Sequence, residues 1–223
     1  EVGFPIGYFI GYQTDGIFQS QEEIDNATVT QAGAQVGDLK FIDQDGDGEI
    51  NFSNNTDKTM LGSPIPKFIY GFNIDLAYKI FDCSIFLQGI SGRDVYNTYY
   101  SLMTTEDFGH FTNYPQDYDP YIDGNGTDPR PHFFQGHGNN LESTKFLENG
   151  AYLRLNNFQI GANILQNSLA NLRIYLSGQN ILTFTSYKGL DPEFEGGSVF
   201  TPGLDPRSYP SVRTFMLGLD ITF

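Results

Sequence analysis

The sequence predicts an all-β fold: adjoining strands of a large antiparallel barrel that crosses a membrane, with long loops on one side. Three observations lead there. Residues 211–223, SVRTFMLGLDITF, alternate with a period of two. Arg213, Phe215, Leu217, Leu219, Ile221 and Phe223 share one face, and Val212, Thr214, Met216, Gly218, Asp220 and Thr222 the other. Alternation marks a half-buried strand, and a terminal aromatic with the apolar side outward suits the last strand of a membrane barrel. Second, 20 Phe and 14 Tyr among 223 residues, with no Trp, are an excess of the kind that two interfacial girdles produce, as would a carbohydrate-binding sandwich. Third, short and long connections alternate along the chain.

Taken in order, residues 1–66 divide into a Gly- and aromatic-rich stretch to Phe18, a helical turn near Gln21–Ile24, a polar loop over 26–37, an acidic loop and the turn LGSPIP. The strands follow at 67–78, 81–90, 151–164, 171–182 and 211–223, with outer loops at 91–149 and 183–209. Phe68, Tyr70, Phe72, Ile74, Leu76 and Tyr78 share one face of the first, and Lys79-Ile80 is a tight turn into the second. In the third, Leu153 and Leu155 are out of phase with Phe158, Ile160, Ala162 and Ile164, which predicts a β-bulge at Asn156-Asn157. The fourth sets Leu172, Ile174 and Leu176 against Arg173, Tyr175 and Ser177. Short turns at 79–80 and 166–170 fall on one side and the long loops on the other, the pattern of outer-membrane barrels with the C-terminus periplasmic.

A net charge of −15 supplies no basic stripe for phosphates and excludes a nucleic-acid partner. No run approaches the roughly 20 apolar residues of a membrane helix, a test that barrel strands escape by alternation. Cys83, the single cysteine, falls on an apolar strand face. Residue 1 is Glu rather than Met and the sequence contains no signal peptide, as in a mature, processed chain or in a fragment. Five or six strands are too few for a transporter-sized barrel, so the chain is expected to be a fragment.

The sharpest chemical signal is DQDGDGEIN. Asp43, Asp45 and Asp47 alternate before Gly48, with Glu49 and Asn51 beyond, matching the first positions of a loop that wraps a hard cation in oxygen ligands. Asn54 stands where such a loop carries its bidentate Glu. The expected ligands are Ca²⁺ or Mg²⁺ in a structural role. The competing reading is an acidic turn held by its own Asx hydrogen bonds. His110, His132 and His137 lack zinc-ligand spacing and read as solvated. Tyr99, Tyr100, Tyr114 and Tyr118 give the first long loop an aromatic, acidic character suited to substrate contact, and equally to packing on a protein partner or on the loop itself. Asn73, Asp75, Asp82, Gln88, Arg173, Gln179 and Asp220 fall on the lumenal phase. No nucleophile–base constellation appears, so no enzyme is expected.

The chain resembles the C-terminal part of SusC/RagA-type TonB-dependent outer-membrane transporters of Bacteroidetes. The resemblance lies in PIGYFIGYQTDGIF (5–18), GDLKFIDQDGDGEIN (37–51), DKTMLGSPIPKFIYGFNIDLAYKIFDCSIFLQG (57–89), FLENGAYLRLNNFQIGANI (146–164), RIYLSGQNILTFTSYKGLDPE (173–193) and YPSVRTFMLGLDITF (209–223). It implies a barrel of about 22 strands around a plug, and TonB-dependent import of an oligosaccharide or peptide under a SusD-like lipoprotein lid. TonB would act through residues absent from this chain. Other implied partners are outer-membrane lipid, the rest of the barrel and a second transporter–lipoprotein pair in a dimer. Asp57 heads the family's Asp-Arg/Lys-Thr element and completes the expected metal set. The alternative is a secreted or surface β-sandwich, a calcium-stabilised carbohydrate-binding or adhesin module. In it Phe68, Phe72, Ile174, Leu176, Leu217 and Leu219 would lie in a protein core rather than face lipid.

Overall fold

The computed structural model describes residues 3–105, 114–131, 138–167, 170–194, 198, 201–205, 207 and 209–223. In chain order the elements are β1 (Phe9–Tyr12), β2 (Thr14–Ile17), α1 (Gln21–Asp25), β3 (Thr30–Gln31), β4 (Leu39–Phe41), β5 (Glu49–Ile50) and β6 (Lys58–Gly62). Then come β7 (Phe68–Tyr78), β8 (Phe81–Ser91), β9 (Asp94–Tyr96), α2 (Thr98–Thr105) and a 3₁₀ turn (Thr144–Phe146). The last are β10 (Leu147–Asn149), β11 (Tyr152–Gln166), β12 (Asn171–Thr185) and β13 (Thr214–Thr222). They form two compact units: residues 66–93, 149–194 and 208–223, and residues 1–65, 94–148 and 195–207.

The first of these is a five-stranded antiparallel sheet in the order β13-β12-β11-β8-β7. Its register shows why alternation matters. Phe72 pairs with Leu87, Leu87 with Leu155 and Leu155 with Leu182, while Ile160 pairs with Leu176 and Leu176 with Leu217. One face is therefore apolar across all five strands, yet nothing in the unit covers it: Leu217 is 79% exposed, Phe215 65% and Phe68 68%. The opposite face carries Asn73, Asp75, Asp82, Ser84, Gln88, Arg154, Arg173, Gln179 and Asp220, in register on facing strands. The sandwich alternative fails here. A sheet that turns its greasy side outward and its charges inward is the wall of a membrane barrel.

The two-residue turn between Tyr78 and Phe81 places Lys79 at a φ of 54°. Register shifts between Leu155 and Asn157 on both neighbours put the bulge at Asn156. β12 runs three residues beyond its expected end at 182. A matching irregularity at Asn180, whose φ is 52°, lets Leu182 and Phe184 rejoin the apolar face. β13 starts later than expected, because the Ser211 N–H donates to Asp191 instead of joining the ladder. At Gly218 the facing Tyr175 ring fills the space that a side chain would take, so this position admits only glycine without moving the tyrosine.

The second unit holds the small sheets β1-β6, β2-β4, β3-β5 and β9-β10. Its first core joins Tyr12, Ile17, Leu39, Phe41, Ile50 and Tyr121, and Tyr12, Phe41 and Phe52 meet edge to face at about 5.5 Å. Its second joins Tyr96, Tyr100 and Phe146. Segment 91–149, expected as a long outer loop with a strand extension or helix over 94–103, carries regular structure at that place and beyond. It contributes β9, α2 and β10, and side chains to both cores. Asn97 caps α2, accepting from the Tyr100 N–H at 2.8 Å. Two buried carboxylates tie the segments together. Asp38 accepts a forked pair from Arg130 and a further bond from Asn139, and Asp128 accepts from Tyr100 and pairs with Lys145 at 2.7 Å.

Candidate metal loop and lumenal polar network

The acidic loop follows β4 and leads into β5. Gly46 and Gly48 take φ values of 78° and 87°, turns that glycine alone enters without steric cost. They aim their N–H groups back at Asp43, whose two oxygens accept from Gly46 at 2.7 Å and Gly48 at 2.8 Å. These bonds stabilise the anion and hold the Asp43 carboxyl below the usual carboxylate range, the Gly48 N–H contributing most. Asp57 is fully buried, accepting from Gln44 N–H at 3.1 Å and Asn51 N–H at 3.0 Å. Carboxylate oxygens of Asp43, Asp45 and Asp57 lie within 4.8 Å of one another.

The structure thus brings together three of the six expected ligands. Asp47 turns its carboxylate to the Glu49 N–H at 2.8 Å, Glu49 lies exposed in β5, and Asn51 accepts from Ser53 at 2.9 Å. The Asx bonds of the competing reading are present as well, at Asp45, Asp47, Asn51 and Asn54. The two readings are compatible, since a carboxylate oxygen that accepts one N–H keeps a lone pair for a cation. The converging all-oxygen set fits a hard divalent ion.

The four tyrosines divide. Tyr100 belongs to the core, its hydroxyl bonded to Asp128 at 2.9 Å, and burial followed by that carboxylate pushes its pKa well up. That placement corrects its expected role in substrate contact. Tyr99 is half-buried, and Tyr114 stacks on Tyr118 with ring centroids 4.6 Å apart. Burial also raises the Tyr118 pKa. His110, His132 and His137 lie outside the described residues.

On the sheet's polar face Arg173 of β12 reaches across β11 to donate to Asp82 of β8 in a fork, donates to Asp220 of β13 at 3.2 Å, and lies over the Tyr175 ring. Asp75 accepts from Asn73 and Ser84. A further polar cluster is one that sequence reasoning missed. Arg154, 3% exposed, donates to Thr183, Glu193, Ser211 and Asp191. Its signal in the sequence is an arginine in the polar phase of the third strand, with Asp-Pro-Glu at 191–193.

Together the outward apolar face and lumenal charge network define a segment of an outer-membrane β-barrel. No protein-family model matches the sequence. The chain is 33% identical to TonB-dependent receptor P3 of Formosa agariphila over 99% of its own length and 22% of that protein's. It is 26% identical to TonB-dependent receptor SusC of Bacteroides thetaiotaomicron, over 96% of the chain and 20% of SusC. A chain in the structure of the RagAB peptide importer in its open-open state superposes with a TM-score of 0.66 at 18% identity, covering all of this chain and 23% of that one. By sequence the chain belongs with the TonB-dependent receptors, and its fold is that of a segment of their outer-membrane β-barrel. It spans about a fifth of the length of the curated relatives it matches.

Proposed function

We propose that the whole protein carries out TonB-dependent import of a nutrient, an oligosaccharide or a peptide, across the outer membrane. A SusD-like lipoprotein closes it from outside, and two such pairs assemble as a dimer. The observation that carries this reading is 33% identity to a TonB-dependent receptor along essentially the whole chain, on a wall whose apolar face is outward. TonB would engage residues absent from this chain. Within the chain we assign Ca²⁺ or Mg²⁺ to Asp43, Asp45 and Asp57, with the task of fixing the 43–57 loop. The remaining candidates for substrate contact are Tyr99, Tyr114 and Tyr118.

The test is deletion of the complete gene in its host, followed by growth on single glycans or on defined peptides as sole source, with and without TonB. Loss of growth on one nutrient class, restored by the gene and abolished again without TonB, is the expected result. Unaltered growth on every glycan and peptide that the host uses would overturn it.

A further inference from the structure

Segment 187–194 lies on the polar face of the sheet rather than extending away from it. Its anchor is the Arg154 guanidinium, which is buried on the inner side of β11. Arg154 donates to Glu193 at 2.8 Å, to Thr183 of β12 at 3.0 Å and to Ser211 at 3.2 Å, and it pairs with Asp191. Asp191 also accepts the Glu193 and Ser211 N–H groups, each at 2.9 Å. Glu193 takes a bond from Gln88 of β8 at 3.1 Å, and Gln88 one from Asn156 of β11 at 2.9 Å. Arg93 lies over the Phe194 ring and donates to the Pro192 carbonyl. The segment is thus fastened to β8, β11, β12 and the approach to β13. This is the end of the sheet away from the two-residue turn at 79–80, which in outer-membrane barrels is the extracellular end.

We propose that Arg154 is the positioning residue of a fixed shelf, residues 187–194, that projects from the wall into the passage and sets the size of what enters it. The inference rests on the transport reading above. Two arguments support a fixed shelf over a swinging lid. Arg154 and Asp191 are buried against each other, so releasing the segment would break that pair and leave the β11 guanidinium without either of its carboxylates. And the guanidinium binds four groups from three separate stretches, a geometry that a planar fork satisfies and a lysine does not.

The test uses the full-length transporter in whole cells. Trypsin added from outside reports on Lys188, which is exposed at the near end of the shelf. With Arg154→Met, cleavage after Lys188 is expected to rise at least about tenfold, given what loss of one partner of a buried pair costs. Arg154→Lys falls between the two. The size limit for uptake, measured with size-fractionated casein peptides and maltooligosaccharides, moves upward in Arg154→Met. Should Arg154→Met fail to assemble, Asp191→Cys combined with Ser211→Cys decides. Oxidised, the pair resists trypsin as the parent does; reduced, it exposes Lys188. Cleavage at the parental rate in assembled Arg154→Met, or in the reduced cysteine pair, overturns the shelf. So does an unchanged size limit where the parent imports either probe. If the parent imports neither, the transport reading fails for those substrates, while trypsin still decides whether Arg154 holds the segment.

Discussion

Asp57 is the residue on which the acidic loop closes. It sits 14 positions after Asp43, and both its oxygens are already committed to backbone N–H groups. Asp57→Ala should leave the Gln44 and Asn51 N–H groups without an acceptor, a cost of about 1–3 kcal/mol. It should also remove one of three converging carboxylates, so terbium luminescence titrated against Ca²⁺ should show a weaker site. Asp47→Ala, whose carboxylate points elsewhere, should leave that titration nearly unchanged. A second residue-scale expectation concerns Arg130, which satisfies the fully buried Asp38 in a fork. Arg130→Met strands that carboxylate and should destabilise its unit by about 3–5 kcal/mol, read as earlier protease cleavage within 1–65 on heating.

The strands are legible in the sequence because each obeys a period of two and each turn or bulge interrupts it visibly. Lys79-Ile80 and Asn156-Asn157 are examples. The same rule ends β12 too early. The polar run Ser177-Gly178-Gln179-Asn180 breaks the pattern in sequence, whereas in space a paired irregularity carries it on to Phe184. The shelf beyond it has a pH signature. Burial raises the pKa of Asp191, but the Ser211 and Glu193 N–H groups and Arg154 outweigh it and hold the carboxyl below its ordinary value. A depressed folded-state pKa gives stability that is complete above the unfolded value of about 3.9 and lost as pH falls through the folded one. Cleavage of segment 187–194 by an acid protease should therefore stay slow near pH 4 and quicken only on further acidification. Asp191→Asn should remove that dependence.

For the whole molecule, the apolar face is the feature with the largest consequence. Leu217 and its neighbours are exposed because their partner is lipid. Leu217→Arg should cost about 2–4 kcal/mol in bilayer stability if it lies near the midplane, measured as a lower urea midpoint for unfolding from vesicles. Thr214→Arg, on the lumenal face of the same strand, should cost much less. Were the same face bathed in water, Leu217→Arg would cost little, since a charge is tolerated at an exposed site.

The sequence alone determined the barrel wall. Membership of a strand and the face each side chain takes follow from local alternation, and a membrane imposes that alternation uniformly along every strand. It also determined that carboxylates gather near residue 43, because a loop ligand set is written in short-range spacing. The tertiary structure decided which of them converge: Asp57 joined Asp43 and Asp45, while Asp47 and Glu49 turned aside to backbone groups. It also placed Tyr100 in a core and gathered Arg154, Asp191, Glu193 and Ser211 into one cluster. Those outcomes depend on pairings between residues up to 57 positions apart. Such pairings are set by packing and by the need to satisfy buried charge, and neither leaves a periodic trace in the chain.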